Sequence, residues 1–152
     1  MSAPLLTVEG LSISFPDGRR HIRVVDRIGF SISTGETLAL VGESGCGKSM
    51  TALAIMRLVP KPGHIEPGSR IQFEGRDLLS LSVPEMRAMR GARIGMIFQE
   101  PMTSLNPVYT IGEQILEAIL LHQKVNRQQA TATAEQAMTD VGIADASSKL
   151  KD

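Results

Sequence analysis

Eight consecutive residues, Gly42-Glu43-Ser44-Gly45-Cys46-Gly47-Lys48-Ser49, have types and spacing that could do chemistry. They fit G-x-x-x-x-G-K-[ST], a loop that cradles phosphate. Gly42, Gly45 and Gly47 allow backbone turns that a Cβ would block. Successive N–H groups can then aim at phosphate oxygens, and a helix N-terminus adds partial positive charge at the same place. Lys48 supplies a mobile cation for the outer phosphates, and Ser49 offers a hydroxyl to a Mg2+ ion bridging them. The bland alternative is a glycine-rich turn with a chance Lys-Ser.

The flanking residues must position that loop. Residues 37–41 (Thr-Leu-Ala-Leu-Val) form a short apolar run after Gly35-Glu36 and predict a buried parallel strand. Residues 50–58 are rich in helix formers and stop before Pro60, which predicts a helix. Strand, loop, helix is the context a phosphate loop needs.

The remaining chain gives further elements. Residues 5–15 alternate apolar and polar over most of their length, Pro16-Asp17-Gly18 is a turn signal, and residues 19–32 hold a second alternating run at 24–32, predicting two antiparallel strands. Residues 60–69 read as a loop and residues 70–74 as a strand ended by Gly75. Ser82 and Glu85 have capping-box spacing and predict a helix to about Arg90. Residues 94–98 predict a second short apolar strand with Gln99 at its carboxyl end, where ligands of open parallel sheets gather.

Thr110 and Glu113 predict another capped helix, with Ile111, Ile115, Leu116, Ile119 and Leu120 on one face. Asn126 to Gln129 predicts a cap for one more, with Ala130, Ala134, Ala137, Met138 and Val141 inward and Gly142 as its stop. The last ten residues predict no element.

Composition narrows the function classes. The chain has 152 residues, 16 basic and 16 acidic, for a net charge of zero. No basic excess points to nucleic acid, and with no Trp, one Tyr and four Phe a base-stacking platform for a strand is not expected. Cys46 is the single cysteine, which fits a reducing compartment and allows no internal disulfide. The first residues lack the pattern of a secretory signal, and no apolar run reaches spanning length.

Residues 41–49 (Val-Gly-Glu-Ser-Gly-Cys-Gly-Lys-Ser) and 96–107 (Met-Ile-Phe-Gln-Glu-Pro-Met-Thr-Ser-Leu-Asn-Pro) together resemble ATP-binding subunits of ABC importers. The second block, with residues 112–115 and 120–122, is similar to the branch importing dipeptides, oligopeptides, nickel or glutathione, leaning toward glutathione. The resemblance runs from about Leu5 to Asp145. It implies an α/β fold of the P-loop NTPase (ABC ATPase) type, seen in its amino-terminal part. A small antiparallel β subdomain would join a parallel-sheet core, over about residues 5–100, and a helical subdomain would start at about residue 101.

The resemblance also implies roles. ATP and Mg2+ would be the cofactors, held by residues 42–49 and Met50. Lys48 and Gln99 would act in catalysis, with Ser49 and Gln99 toward the metal. Phe15 would stack on adenine, where many relatives carry Tyr; its plain alternative is a core Phe at a strand end. Gln99 has the alternative of a solvated polar residue, and Cys46 reads as a small spacer where Ser is common. Residues 102–108 would contact integral membrane permease subunits, or form a merely solvated loop. A second ATP-binding subunit would complete each site, and a periplasmic solute-binding protein would act indirectly. The location would be peripheral, on the cytoplasmic face of the inner membrane.

Two features of such an ATPase are absent from this sequence: a Leu-Ser-Gly-Gly signature and an apolar run ending in Asp-Glu. Asp17, Asp26, Asp77, Asp140, Asp145 and Asp152 do not end apolar strands, and His21, His64 and His122 do not suit the family's switch histidine. The expectation is an amino-terminal piece of a longer subunit, with little turnover alone. The alternative is a non-catalytic nucleotide-binding or interaction module that regulates a full-length partner. A phosphate-loop kinase is a weaker third reading.

Overall fold

The computed structural model describes residues 3–98 and 105–152. It divides into two compact units, residues 1–87 and 88–152.

The first unit is built on the predicted hairpin. Strand β1 (Leu6–Asp17) pairs antiparallel with β2 (Arg20–Ile32), closing at Asp17 opposite Arg20. The two-residue loop starts at Gly18, whose φ of 59° supplies the turn that matches strand twist. On the other edge of β1 lie β3 (His64–Ile65), opposite residues 13–14, and β4 (Arg70–Phe73), opposite residues 6–9. Strand β5 (Arg76–Asp77) follows β4 through Glu74-Gly75, both at positive φ, giving the order β2-β1-β4-β5 with β3 beside β1.

The apolar phase of β1 shifts midway: Leu6 and Val8, then Leu11, Ile13 and Phe15. A bulge between Val8 and Leu11, with Gly10 at φ 56°, absorbs the shift, so Val8, Leu11 and Ile13 are all buried. Burying side chains of this size contributes roughly 1.5–3 kcal/mol each. Leu6, Val25, Ile71, Phe73 and Leu78 complete the buried set around the sheet.

Helix α1 (Lys48–Ile55) follows the glycine loop as predicted but ends before residue 58. Arg57 takes φ 51°, and Leu58 N donates to Leu53 O at 2.7 Å, a helix-ending wrap that stops the helix ahead of Pro60. Helix α2 (Val83–Met89) has its box: Glu85 Oε2 accepts from Ser82 N at 2.8 Å.

Two predicted strands do not form. Residues 37–41 carry no strand, and Leu38, Leu40 and Val41 are exposed, Val41 at 94%. Residues 94–98 likewise carry no strand, with Ile97 at 96%; Ile94 makes one isolated parallel bridge to Arg90. A parallel strand exists only through hydrogen-bonded neighbours, and among the described residues neither run has them. No parallel sheet is present among the described residues.

The second unit is helical. Helix α3 (Ile111–His122) and helix α4 (Arg127–Asp140) both carry complete capping boxes, from Thr110 with Glu113 and from Asn126 with Gln129. Helix α5 (Ala146–Lys149) lies in the stretch where no element was predicted. Leu116, Ala130, Ala134, Met138, Ala146 and Leu150 form the core, flanked by Ile111, Ile115, Ile119 and Val125.

Ala137, Val141 and Leu120 are exposed, against expectation. Val141 is the residue past the helix and leaves its period, and the covering side chains lie over the 130-134-138 stripe rather than over Ala137. Leu120 faces a shallow cleft instead.

Candidate phosphate site

The phosphate-loop residues converge at the start of α1, within the first unit. Gly45 and Gly47 adopt φ 82° and 94°, the left-handed conformation that favours glycine. Gly47 is the residue before the helix, and no side chain caps α1. Its first-turn N–H groups therefore lack the usual side-chain oxygen, which leaves them suited to an anion.

Lys48 folds back over the loop. Its Nζ donates to Gly42 O at 2.8 Å and Glu43 O at 2.7 Å, and lies 3.4 Å from Cys46 Sγ. Cys46 N donates to Glu43 O at 3.3 Å. The result is a ring of main chain closed on an ammonium group. Ser49 is exposed, while Lys48 and Met50 are half-buried.

Neighbouring elements fix the loop in ways that spacing alone does not disclose. A Cβ at Gly47 would stand 2.7 Å from Val24 O and 2.8 Å from Val25 Cγ2, so the loop's last glycine sits directly against β2. Thr51, buried, donates from both N and Oγ1 to Gly47 O at 2.8 and 3.0 Å. At the far end Arg57 Nη1 donates to Leu78 O and Leu81 O at 3.2 and 2.6 Å. The motif stops at Ser49, so sequence reading missed Thr51 and Arg57; a Thr four residues past the glycine was the available signal.

Phe15 is half-buried and lies on β1, two residues from Ile13 and so on the same sheet face. Ile13 faces Val25, the residue that meets Gly47. Phe15 thus shares the sheet face that carries the phosphate loop. The opposite face bears a polar group: Ser14 Oγ donates to Glu66 Oε1, and Arg23 grips both Glu66 oxygens at 3.0 and 2.7 Å. Hydrogen bonds from Arg23 and then Ser14 hold the Glu66 carboxyl below its ordinary value.

Gln99 and residues 100–104 lie outside the described residues, so the roles assigned to Gln99 and to residues 102–104 have no geometry here, while Leu105 and Val108 are exposed. Among the described residues no cluster of three or more His, Cys, Asp or Glu could hold a metal. No helix among the described residues is long and apolar enough to cross a membrane. A cleft of about 300 Å³ in the second unit, lined by Tyr109, Glu113, Gln114, Leu116, Glu117, Leu120 and Arg127, contains none of the phosphate-loop residues.

Comparison with known proteins follows the same line. The family model "ABC transporter" matches residues 25–152. The dipeptide transport ATP-binding protein DppD of Escherichia coli is 47% identical over 96% of this chain and 44% of its own length. The glutathione import ATP-binding protein GsiA of Escherichia coli is 46% identical over 96% of the chain and 24% of its own. The peptidoglycan transport ATP-binding protein YejF of Agrobacterium fabrum is 45% identical over 97% and 27%.

The chain therefore spans less than half the length of these relatives. A dimeric bacterial ABC transporter cassette superposes with TM-score 0.75 at 20% identity, over 88% of this chain and 56% of its own. A post-hydrolysis cassette bound to ADP and Pi gives 0.71 at 19%, over 88% and 57%. At such identities these two show the fold. With a closed phosphate loop, an antiparallel β unit and a family match over most of its length, the chain belongs to the ABC transporter family.

Proposed function

We propose that this chain carries the nucleotide-binding part of an ABC importer subunit. It would bind ATP with Mg2+ and, within a full-length subunit, couple ATP hydrolysis to import of peptides or related small solutes. The observation that carries this is the ring of main chain at residues 42–47 closed on the Lys48 ammonium, at the mouth of an uncapped helix. A triphosphate offers that ammonium and those N–H groups stronger, anionic acceptors than the carbonyls of Gly42 and Glu43.

In this reading the N–H groups of Glu43, Ser44, Gly45, Cys46, Gly47, Lys48, Ser49 and Met50 surround the phosphates. Lys48 turns from its carbonyls to the outer phosphate oxygens. The exposed Ser49 hydroxyl faces the metal, and Phe15 provides a base platform on the same sheet face. Mg2+, when bound, neutralises charge on the outer phosphates. Gln99 keeps its assignment to the metal and the attacking water on the strength of family likeness.

Residues from about 5 to 100 would carry the β subdomain and phosphate-loop core, with the helical subdomain starting near residue 101. The working assembly would include integral membrane permeases, a second ATP-binding subunit and, indirectly, a periplasmic solute-binding protein, with this subunit on the cytoplasmic face of the membrane. Because neither a Leu-Ser-Gly-Gly signature nor an apolar run ending in Asp-Glu is in the sequence, this chain alone should not sustain turnover.

Equilibrium ATP binding to the chain and to Lys48→Ala tests the assignment. A lost charge-assisted bond of roughly 1.5–3 kcal/mol predicts at least about tenfold weaker binding in the variant. Equal affinity in a folded variant would overturn the site.

A further inference from the structure

A second glycine outside the phosphate motif is fitted to a side chain rather than to a turn. A Cβ at Gly63 would stand 2.4 Å from Phe15 Cζ, 2.5 Å from Cε1 and 2.9 Å from Cε2. Gly63 has no positive φ, so its backbone suits any L-residue. What glycine provides here is space, and the tip of the Phe15 ring takes it.

The loop that carries Gly63 cannot readily retreat. Gly63 N donates to Pro60 O at 2.9 Å. The next two residues form β3 and pair with Ile13 and Ser14. Glu66 N then donates to Ser12 O at 2.8 Å, and the Glu66 carboxylate is clamped by Ser14 and by both ends of the Arg23 fork. The β3 pairing and the bonds to Ser12 and Ser14 tie residues 64–66 to the strand that carries Phe15 itself, and Arg23 ties Glu66 to the neighbouring β2. When a methyl is added at position 63, the ring, half-buried at the free end of its side chain, is therefore the part that moves.

We infer that Gly63 is a positioning residue for Phe15, setting the orientation of the ring and hence the strength with which the site holds a purine base. The inference rests on the reading of Phe15 as the base platform. Stacking energy depends on overlap of the two π faces and amounts to roughly 1–3 kcal/mol per base. A ring displaced by a methyl group forfeits overlap while the phosphate contacts, made by a different loop, stay intact. Gly63 thus acts on base affinity alone.

The test measures binding of ATP and of inorganic triphosphate to the chain, to G63A, to F15A and to the double variant. Aromatic proton NMR follows the Phe15 ring in the absence of ligand. The expected result is that G63A shifts the Phe15 resonances and weakens ATP binding about three- to tenfold, with triphosphate affinity kept; retained triphosphate binding also shows that the fold is intact. F15A should weaken ATP by about tenfold, and adding G63A to F15A should cost nothing more.

Unchanged ATP affinity in F15A would overturn the base-platform reading itself. F15A weakened while G63A is not, or penalties that add in the double variant, would overturn the role of Gly63 and leave the platform standing. Equal losses of ATP and triphosphate in G63A would show a general structural role instead.

Discussion

At Gly47 backbone and packing exclude a side chain for separate reasons. Its φ of 94° disfavours any L-residue, and the space where a Cβ would go is filled by Val24 O and Val25 Cγ2. Gly47→Ala should therefore cost about 1–3 kcal/mol from backbone strain alone, measured as a lower urea midpoint, and triphosphate binding should fall with it. Gly45, at φ 82° but with open space around it, should suffer from strain only.

Glu66 makes a pH-dependent contribution. Its folded-state value is depressed below 4.5, first by Arg23 and then by Ser14, so the stability it provides is present above 4.5 and lost as pH falls through the lower folded value. Thermal midpoints taken from pH 7 down to pH 3 should drop less steeply for Glu66→Gln than for the unsubstituted chain. Parallel curves would remove the clamp from the account.

Among the elements, those defined by local chemistry were readable in advance. The boxes at Ser82, Thr110 and Asn126 each satisfy orphan helix N–H groups within four residues, and all three helices start where those residues stand. Thr110 accepts from Glu113 N at 3.1 Å, and Thr110→Ala should lower stability of the helical unit by about 1 kcal/mol in chemical denaturation. The hairpin turns at Gly18 and Gly75 are of the same kind.

Elements defined by distant neighbours were not readable. An apolar run such as residues 37–41 satisfies every sequence criterion for a buried strand, yet the strand depends on ladder partners that the run itself does not contain. Helix α5 failed in the opposite sense. Its few residues have no period, and its place comes from Ala146 and Leu150 joining a core made by α3 and α4. At the phosphate site the motif announced the glycines and Lys48, whereas the wall at Val24 and Val25 became visible only in the fold.

Among the described residues, burial is uneven. The β1-centred sheet buries Val8, Leu11 and Ile13, while Val41 and Ile97 are almost fully exposed. Hydrogen exchange should separate the two classes: slow for amides in the middle of β1, fast for residues 38–41 and 95–98. Slow exchange at residues 38–41 would mean that the run finds a ladder partner in solution.

The helical unit closes on itself in a way that matters for anything joined to it. Ile111 N donates to Asp152 O and Gly112 N to Leu150 O, both at 2.9 Å, and a Cβ at Gly112 would stand 2.4 Å from Leu150 O. Residues 150–152 are thus a plug in the doorway of α3, accepting from two amides while the Thr110 side chain accepts from Glu113 N. Chain continuing past residue 152 would leave from beside Thr110, and the residues that follow would decide whether the doorway stays shut.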